Sequence, residues 1–468
     1  MSDSKSPIKH LKAIAIGAGS GLLILVLIIG GFTLSAPAKP AATTPTVTPT
    51  DTPATTPTEE GRNCSVADLA SDKLLQGLQA QVLNPATNEV LFDYLGESPV
   101  RTASVMKLLT AASALQVLGP NFRVQTKVYA DLDVPGQIVI VGAGDPTLSR
   151  VRVGVQSVYK DAPKLADLAV QINAWARATP ITNIVLDSSY FAGSTWDEAV
   201  DDSERTLGYQ SHVTALQVDG DRDNPTRETS PRSTDPVNRV GVALKKAIGP
   251  LAADATLTNS VAGSNLLEIA DVRSQPISKW ITHMLQVSDN TEAEFLARLV
   301  SKQLGFDGSL ESVGDALKSA LTSAGIAYNT EAGSFPGDLV LLDGSGENEN
   351  NLVSPAYVNT LLKKVLNREG NFGVIYQGLP IAGESGSLAS RFKGDNIDAA
   401  GHIFAKTGWT RTSYSLAGII KAKDGTDLIF SIFTVGDLPD TTKQAIDNLA
   451  TGFYRCGDKL SAQTTPTN

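Results

Sequence analysis

The chain has 468 residues, of which 42% are hydrophobic and 19% are charged, so it has enough apolar material for a large core. Its length favours two or three domains over one. Its net charge of −10 argues against a nucleic-acid partner, because binding to phosphates needs a basic face.

The amino terminus is basic and then strongly apolar. Three lysines within the first twelve residues precede an uncharged stretch from Ala13 to Ala38. A membrane-spanning helix needs about 20 such residues, whereas the apolar region of a cleaved signal peptide needs about 7–15. We therefore predict a cytoplasmic leader at 1–12 and an uncleaved transmembrane anchor at 13–36, which places a single-pass protein in the cytoplasmic membrane. Cleavage near Ala36-Pro37-Ala38 is the alternative, and in either case the rest of the chain is exported.

Residues 37–62 are rich in proline, threonine and alanine and cannot form a core, so we predict an extended linker. A short tail of similar composition, 461–468, is predicted to be disordered. The folded region between them has one cysteine near each end, Cys64 and Cys456. In an oxidising compartment we expect these two to form a disulfide; two unpaired buried thiols are the alternative.

Strand signals lie at both ends of the folded region. Gln79–Leu83 and Glu89–Tyr94 are predicted strands on either side of a turn. Strands at both ends with helices between them predict one antiparallel sheet completed by both termini, in a chain of the α/β (α+β) class. The corresponding segments near the carboxyl terminus are the strands Ala400–Ala405, Tyr414–Ala422 and Leu428–Phe433 and the helix Thr441–Phe453.

The middle of the chain has a different pattern. Between 148 and 269, predicted helices at Lys164–Arg177 and Pro236–Ile248 alternate with short strands and polar loops. We predict that 148–269 is an inserted domain, so that the main domain consists of 63–147 and 270–460.

A lysine with an unusual setting follows the second strand. Lys107 is the only charged residue between Arg101 and Arg123, and its neighbours are almost all apolar, which predicts a buried helix. Ser104 lies three residues earlier, so its hydroxyl and the Lys107 amine share one helix face. Burial lowers the pKa of a lysine and makes it available as a neutral base beside the serine. The S-x-x-K pattern occurs elsewhere in the chain, but only this copy has a buried setting.

Two further motifs follow. Ser288-Asp289-Asn290, the only S-x-N of the chain, comes after a predicted helix at 277–286. Lys406-Thr407-Gly408, the only K-T-G, comes at the end of a predicted strand at 401–405. Alone, the first is usually a helix cap and the second a turn. All three motifs in this order, each beside the expected kind of element, indicate one shared site.

The triplet resembles the signature of the penicillin-recognising serine acyl-enzymes. More narrowly, 64–460 is similar to the class C low-molecular-mass penicillin-binding proteins, which are D-alanyl-D-alanine carboxypeptidase/endopeptidases. The resemblance implies a serine β-lactamase/transpeptidase-like fold, an antiparallel sheet flanked by helices, with an insertion between the first two motifs. It also implies peptidoglycan stem peptides ending in D-Ala-D-Ala as substrates and β-lactam antibiotics as ligands. Further segments that carry it are Gly144-Asp145-Pro146-Thr147-Leu148, Asp343-Gly344-Ser345-Gly346 and Leu379-Pro380-Ile381-Ala382-Gly383.

The resemblance also implies catalytic roles. Ser104 is expected to be the nucleophile and Lys107 its base, with Lys406 as a second nearby cation. Ser288 is expected to relay a proton to the leaving amine, and Asn290 to orient Lys107 and hold the substrate amide.

The remaining roles concern substrate binding. Lys406 and Thr407 are expected to bind the substrate carboxylate, beside Gly408. The backbone N–H groups of Ser104 and Trp409 are expected to form the oxyanion hole. Many relatives have threonine or serine at the position of Trp409, so the indole is expected to narrow the cleft and Thr410 to share in carboxylate binding.

Three other functions are weighed against this one. A β-lactamase would share the triplet, but the chain has no E-x-x-L-N segment to hold a deacylating water. A catalytically weak penicillin sensor or wall-binding scaffold is disfavoured by the intact triplet. A Ser–His–Asp hydrolase is disfavoured because His212, His283 and His402 accompany no G-x-S-x-G nucleophile. No metal-ligand spacing is present, so we expect no metal and no cofactor.

Overall fold

Ten strands and eleven α-helices occur in residues 62–326 and 339–461, the part of the chain that the computed structural model describes. The strands are β1 (Gln79–Asn84), β2 (Glu89–Tyr94), β3 (Gln125–Asp131), β4 (Gln137–Val141), β5 (Asn183–Asp187), β6 (Thr256–Asn259), β7 (Leu266–Arg273), β8 (Ile403–Thr410), β9 (Ser413–Lys421) and β10 (Asp427–Val435). The helices are α1 (Ala67–Ala70), α2 (Met106–Val117), α3 (Leu165–Ala176), α4 (Ser203–Leu207), α5 (Pro236–Ile248), α6 (Ile277–Val287), α7 (Asn290–Gln303), α8 (Leu310–Ser323), α9 (Pro355–Leu366), α10 (Gly373–Gly378) and α11 (Thr442–Cys456).

The first sheet is antiparallel and takes strands from both ends of the chain, in the order β2-β1-β10-β9-β8. Gln79 of β1 lies opposite Phe433 of β10, and Ile403 of β8 lies opposite Ile420 of β9. This arrangement confirms the predicted antiparallel sheet completed by both termini.

Helices cover both faces of this sheet. In β9, Ala417 and Ile419 belong to one apolar core, whereas Leu416 and Ile420 belong to another. The first core contains α2 and α6 to α9, and the second contains α11. Because successive residues of a strand point to opposite faces, a strand covered on both sides is buried along nearly its whole length, as β9 is from Ser413 to Ile420.

α2 is deeply buried. Every residue from Met106 to Leu115 is buried, including Lys107, as the apolar run predicted. The helix packs against α7 and α8. Just beyond its end, Gly119 has a φ of 78°, a left-handed conformation that glycine adopts without steric cost.

The second sheet has the order β6-β5-β4-β3-β7. β4, β5 and β6 run parallel, whereas β3 pairs antiparallel with β4 and β7. α3 and α5 pack on it through a separate apolar core.

The predicted insertion at 148–269 leaves out β3 and β4 of this sheet at one end and cuts through β7 at the other. Pairing of β3 with β7 and of β4 with β5 places both strands in the second sheet, and the bounds of an inserted domain stay a prediction.

The predicted leader and anchor, most of the predicted linker and most of the predicted tail lie outside the described residues. Within 62–326 and 339–461, no helix is both long enough and apolar enough to cross a bilayer. The transmembrane helix at 13–36 stays a prediction.

Cys64 and Cys456 form a disulfide, with 2.02 Å between the sulfurs and 5.5 Å between the Cα atoms, which confirms the predicted bridge. Beside it, Cys64 forms a parallel backbone bridge with Leu460. The bond therefore ties the segment before β1 to the end of α11, across a sequence separation of 392 residues.

We predict that the double variant Cys64→Ser/Cys456→Ser is less stable than the wild type by about 2–4 kcal/mol, because an open chain gains more conformational freedom when it unfolds. The measurement is thermal unfolding with and without reductant. Reductant should lower the unfolding midpoint of the wild type and leave that of the double variant unchanged, since the chain has no other cysteine. Equal stability of the two proteins would contradict the prediction.

Candidate active site

Ser104 lies immediately before α2. It belongs to a single 3₁₀ turn, Ala103–Val105, and is only 6% exposed. Ala103 has a φ of 44°, in the left-handed region that residues with a Cβ rarely adopt. The neighbouring loop packs tightly against this turn at Gly346, since a Cβ on Gly346 would lie 2.0 Å from the Ala103 carbonyl oxygen. The hydroxyl is therefore fixed at the positive end of a buried helix.

The Lys107 side chain is completely buried, and its amino group contacts three oxygen atoms. Nζ lies 2.8 Å from Ser104 Oγ, 2.6 Å from Asn290 Oδ1 and 2.7 Å from the Ser345 carbonyl oxygen. Burial lowers the pKa of Lys107 to about 8, against the opposing effect of nearby carboxylates, of which Glu347 acts most strongly. A sizeable fraction of this lysine is thus neutral near physiological pH and can accept the Ser104 proton.

The turn between α6 and α7 provides the second motif. Ser288 follows α6 in a left-handed conformation, with a φ of 63°. Asp289 then caps α7 by accepting a hydrogen bond from the Glu292 N–H at 3.0 Å, and Asn290 is the first residue of that helix. This tight turn brings Ser288 and Asn290 to the same site.

Residues from the region of the second sheet hold the Asp289 side chain in place. Its Oδ2 accepts hydrogen bonds from Arg222 Nη2 at 2.6 Å and from the Tyr159 hydroxyl at 3.2 Å, and all three side chains are buried. Burial by itself raises the pKa of Asp289, but the Arg222 guanidinium and His283 outweigh it and hold that pKa well below its usual range. The sequence did not single out Arg222 or Tyr159. The sequence signal available for Arg222 was the polar run 219–224. Only the tertiary structure shows that 219–222 are buried.

Lys406 lies inside β8 rather than after the end of a strand. The predicted strand end at Ala405 is wrong, because the pairing of β8 with β9 continues without a break to Thr410. Lys406 Nζ lies 2.8 Å from Ser288 Oγ and 2.7 Å from the Thr407 carbonyl oxygen. Burial and repulsion from Lys107 both lower the pKa of Lys406, and a carboxylate bound beside it would oppose both effects.

Gly408 is the point of closest approach between β8 and the nucleophile. A Cβ at this position would lie 2.1 Å from Ser415 Oγ and 3.0 Å from the Ser104 backbone nitrogen. Ser415 Oγ in turn donates to the Thr102 carbonyl oxygen at 2.7 Å. Only glycine allows β8 and β9 to pack this tightly against the Ser104 turn.

The residues on either side of Gly408 line the cleft, whereas Thr410 does not. Thr407 and Trp409 line a cleft beside Ser104, and Trp409 is 45% exposed there. Thr407 Oγ1 lies 2.7 Å from Ser387 Oγ. Thr410 is buried, its hydroxyl is paired with another side chain of the same hairpin, and it is not among the residues that line the cleft. Residues of a strand alternate between faces, which separates Thr410 from Trp409.

The loop from Asp343 to Glu347 completes the surroundings of Lys107. Glu294 of α7 accepts hydrogen bonds from the backbone N–H groups of Gly344 and Ser345, at 3.0 and 2.8 Å. These contacts orient the loop so that the Ser345 carbonyl oxygen reaches Lys107. The resemblance indicated this loop, whereas the sequence assigned no role to Glu294.

The cleft has a volume of about 350 Å³ and is lined by residues of both signs. Its carboxyl groups include Glu204 and Glu347, and its basic groups include Arg391 and Lys443. Of the site residues predicted from sequence, Ser104, Lys107, Ser288, Asn290, Lys406, Thr407, Gly408 and Trp409 all meet at or beside this cleft.

Comparison with known proteins defines the class, a serine peptidase of the carboxypeptidase type. The model of the D-Ala-D-Ala carboxypeptidase 3 (S13) family matches residues 63–247 and 221–453. Carboxypeptidase DacB of Mycolicibacterium smegmatis and a carboxypeptidase of Mycobacterium tuberculosis are each 32% identical to this chain over 425 residues, which is 90% of this chain and 90% and 89% of theirs. The chain belongs to the D-Ala-D-Ala carboxypeptidase 3 (S13) family, which confirms the resemblance read from its motifs.

Solved structures show the same fold. Penicillin-binding protein 4 of Haemophilus influenzae aligns with a TM-score of 0.70 at 19% identity, covering 83% of this chain and 99% of that one. The predatory endopeptidase Bd0816 of Bdellovibrio bacteriovorus aligns with a TM-score of 0.50 at 17% identity, covering 83% and 95%. At these identities the likeness concerns the fold alone, a mixed α/β arrangement of sheets and helices.

We predict that Gly408→Ala slows the reaction of Ser104 with a fluorescent penicillin by about tenfold, since overpacking a tight contact costs about 1–3 kcal/mol. Time-resolved labelling measures this rate. Gly263→Ala is the matched control, because a Cβ at that position meets only the Asp131 carboxylate at an ordinary 3.9 Å. Labelling of the Gly408 variant at the wild-type rate would refute the close contact between β8 and the Ser104 turn.

Proposed function

We propose that the protein is a serine-type D-Ala-D-Ala carboxypeptidase that trims peptidoglycan stem peptides through an acyl-enzyme at Ser104. The observation that carries the proposal is the buried contact of 2.8 Å between Lys107 Nζ and Ser104 Oγ. A lysine with a pKa of about 8 can remove the serine proton without a histidine. Membership of the S13 family supports the class of substrate.

In the proposed first step, neutral Lys107 accepts the Ser104 proton while Oγ bonds to the carbonyl carbon of the penultimate D-alanine. The carbonyl electron pair moves to oxygen, where the backbone N–H groups of Ser104 and Trp409 stabilise the charge. The Ala405 N–H donates to Pro380, away from β9. Because N–H groups alternate along a strand, the Trp409 N–H lies on the same edge of β8 as the Ala405 N–H. It is next to Gly408, which closely approaches the Ser104 backbone.

In the second step the carbonyl re-forms, and the bond to the terminal D-alanine nitrogen breaks. The proton on Lys107 passes to this leaving amine, with Ser288 as the relay. Lys406 and Thr407 hold the terminal carboxylate through charge and a hydrogen bond. Water then hydrolyses the Ser104 ester and restores the free hydroxyl.

We also propose that β-lactams acylate Ser104 and that cross-linked stem peptides are cut as well as monomeric ones. A structure of the Haemophilus influenzae protein complexed with a β-lactam aligns with a TM-score of 0.64, and the Bdellovibrio protein is described as an endopeptidase. Of the histidines in the described residues, none lines the cleft, so a histidine base is not placed there. A weak penicillin sensor and a β-lactamase are the competing functions.

The test uses the exported region with its disulfide intact. We expect a fluorescent penicillin to label the wild type covalently and Ser104→Ala not at all. A peptide ending in D-Ala-D-Ala should release free D-alanine with the wild type and at least about 10³-fold more slowly with the variant, the loss expected when a nucleophile is removed.

Each competing function gives a different result. Labelling without release of D-alanine favours the sensor, and rapid turnover of penicillin favours the β-lactamase. Release of D-alanine from a monomeric peptide, without cleavage of a cross-linked dimer into its two stem peptides, limits the enzyme to carboxypeptidase activity. An unlabelled wild type refutes the acyl-enzyme.

We further propose that 13–36 anchors the protein in the cytoplasmic membrane with its folded region on the cell-wall side. The Cys64–Cys456 disulfide supports export, since disulfides persist in oxidising compartments. We expect the full chain to stay with membranes in alkaline carbonate and a chain lacking 1–36 to be released. Release of the full chain, or its loss from membranes by processing near Ala38, would contradict the anchor.

A further inference from the structure

Glu347 is a carboxyl group beside the nucleophile that the proposed mechanism does not use. It lines the cleft together with Ser104. Its Oε1 accepts a hydrogen bond from Asn290 Nδ2 at 2.6 Å. The other end of the same amide, Oδ1, accepts a hydrogen bond from Lys107 Nζ at 2.6 Å. One amide group therefore connects Glu347 to the base that activates Ser104.

The two ends of an amide are chemically different, so these contacts determine how Asn290 points. Nδ2 can only donate and Oδ1 can only accept. With Nδ2 held by the Glu347 carboxylate, Oδ1 faces Lys107. In the reverse orientation, two donors would meet at Lys107 and two acceptors at Glu347, which leaves buried groups unsatisfied. An acceptor at position 347 thus keeps the Asn290 oxygen on the lysine.

Among the nearby carboxylates, Glu347 does most to offset the effect of burial on the pKa of Lys107. Asp289 is paired with Arg222 at 2.6 Å, and Glu294 is occupied by backbone N–H groups. Of the carboxylates that raise the pKa of Lys107, Glu347 has the largest effect. The charged groups that face Lys107 are Glu347 and Asp343 on the loop, Asp289 and Glu294 at α7, and Lys406 on β8.

The charge of Glu347 is itself sensitive to its surroundings. Burial raises the pKa of Glu347 to about 7, while Lys107 opposes this rise and Glu204 of α4 and Asp343 add to it. Above neutral pH the carboxylate is therefore mostly charged, and a charged carboxylate is a strong acceptor for the hydrogen bond from Asn290.

Building on the proposed function, we propose that Glu347 is a positioning residue for acylation: its carboxylate holds the Asn290 amide against Lys107 and provides the negative charge that this lysine faces when it takes the Ser104 proton. No bond to Glu347 forms or breaks. The proton moves from Ser104 Oγ to Lys107 Nζ, and the resulting ammonium lies one amide group away from the carboxylate.

The sign of the effect on pH dependence follows directly. The negative charge of Glu347 favours the protonated form of Lys107 and raises the pKa of Lys107, so removal of that charge lowers this pKa. Lys107 then becomes neutral at a lower pH. The acid limb of the acylation rate, which lies near the Lys107 pKa of about 8, moves toward lower pH. The maximal rate falls as well, because a lysine of lower pKa is a weaker base.

Glu347→Gln tests this because it keeps an acceptor for Asn290 and removes the charge. We expect the acid limb for labelling by a fluorescent penicillin to move down by about half a pH unit or more, with KM for the D-Ala-D-Ala peptide within about twofold of wild type. Glu347→Leu removes both the charge and the acceptor. It should show the same shift and a further loss of about tenfold in maximal rate, because Asn290 is no longer held.

Glu349→Gln is the matched control. It is a carboxyl group of the same loop that accepts from Thr412 at 2.6 Å and has no contact with Asn290, so its profile should equal that of the wild type. Wild-type labelling with an unshifted Glu347→Gln profile overturns the inference and leaves the proposed function intact. Equal losses in the glutamine and leucine variants without a shift also overturn it, since they would reflect packing alone. An unlabelled wild type overturns the proposed function instead.

Discussion

The buried amino group of Lys107 joins three parts of the fold that are far apart in sequence. Its three contacts lie on the Ser104 turn, on α7 and on the loop that contains Ser345. A buried ammonium without such partners would cost several kcal/mol, so each of the three oxygens must be held in place by its own surroundings. The need to solvate one lysine inside an apolar core therefore explains why so many polar groups converge here.

Each of these oxygens is positioned by a second layer of contacts. The α7 turn is fixed by the ion pair between Asp289 and Arg222, which extends the support of the site into the region of the second sheet. The loop carbonyl is fixed by Glu294, and the Asn290 amide is fixed by Glu347. The first sheet closes the arrangement from the other side, where Gly408 lets β8 approach the Ser104 backbone. The second sheet is thus a structural part of the site as well as an insertion in the sequence.

Much of this could be predicted because the relevant signals are local. An apolar run around one lysine predicts a buried helix, and alternating apolar residues predict the strands of the first sheet. The two cysteines and the predicted export indicate the disulfide. What could not be predicted depends on distant pairing partners. Only their pairing with β7 and β5 places β3 and β4 in the second sheet. The strand end at Ala405 was wrong because β9 extends the ladder beyond it.

The sequence by itself determined which serine, which lysines and which amide meet at one site, and it indicated the family. It could do so because motifs of three or four residues specify side-chain types and their spacing on one element. Only the tertiary structure decided which charged residues surround and support the site. Arg222, Glu294 and Glu347 are ordinary charged residues in sequence, and their effect depends on burial and on distances of 3 Å or less across elements. Electrostatic interactions become strong only when folding removes water from between the charges.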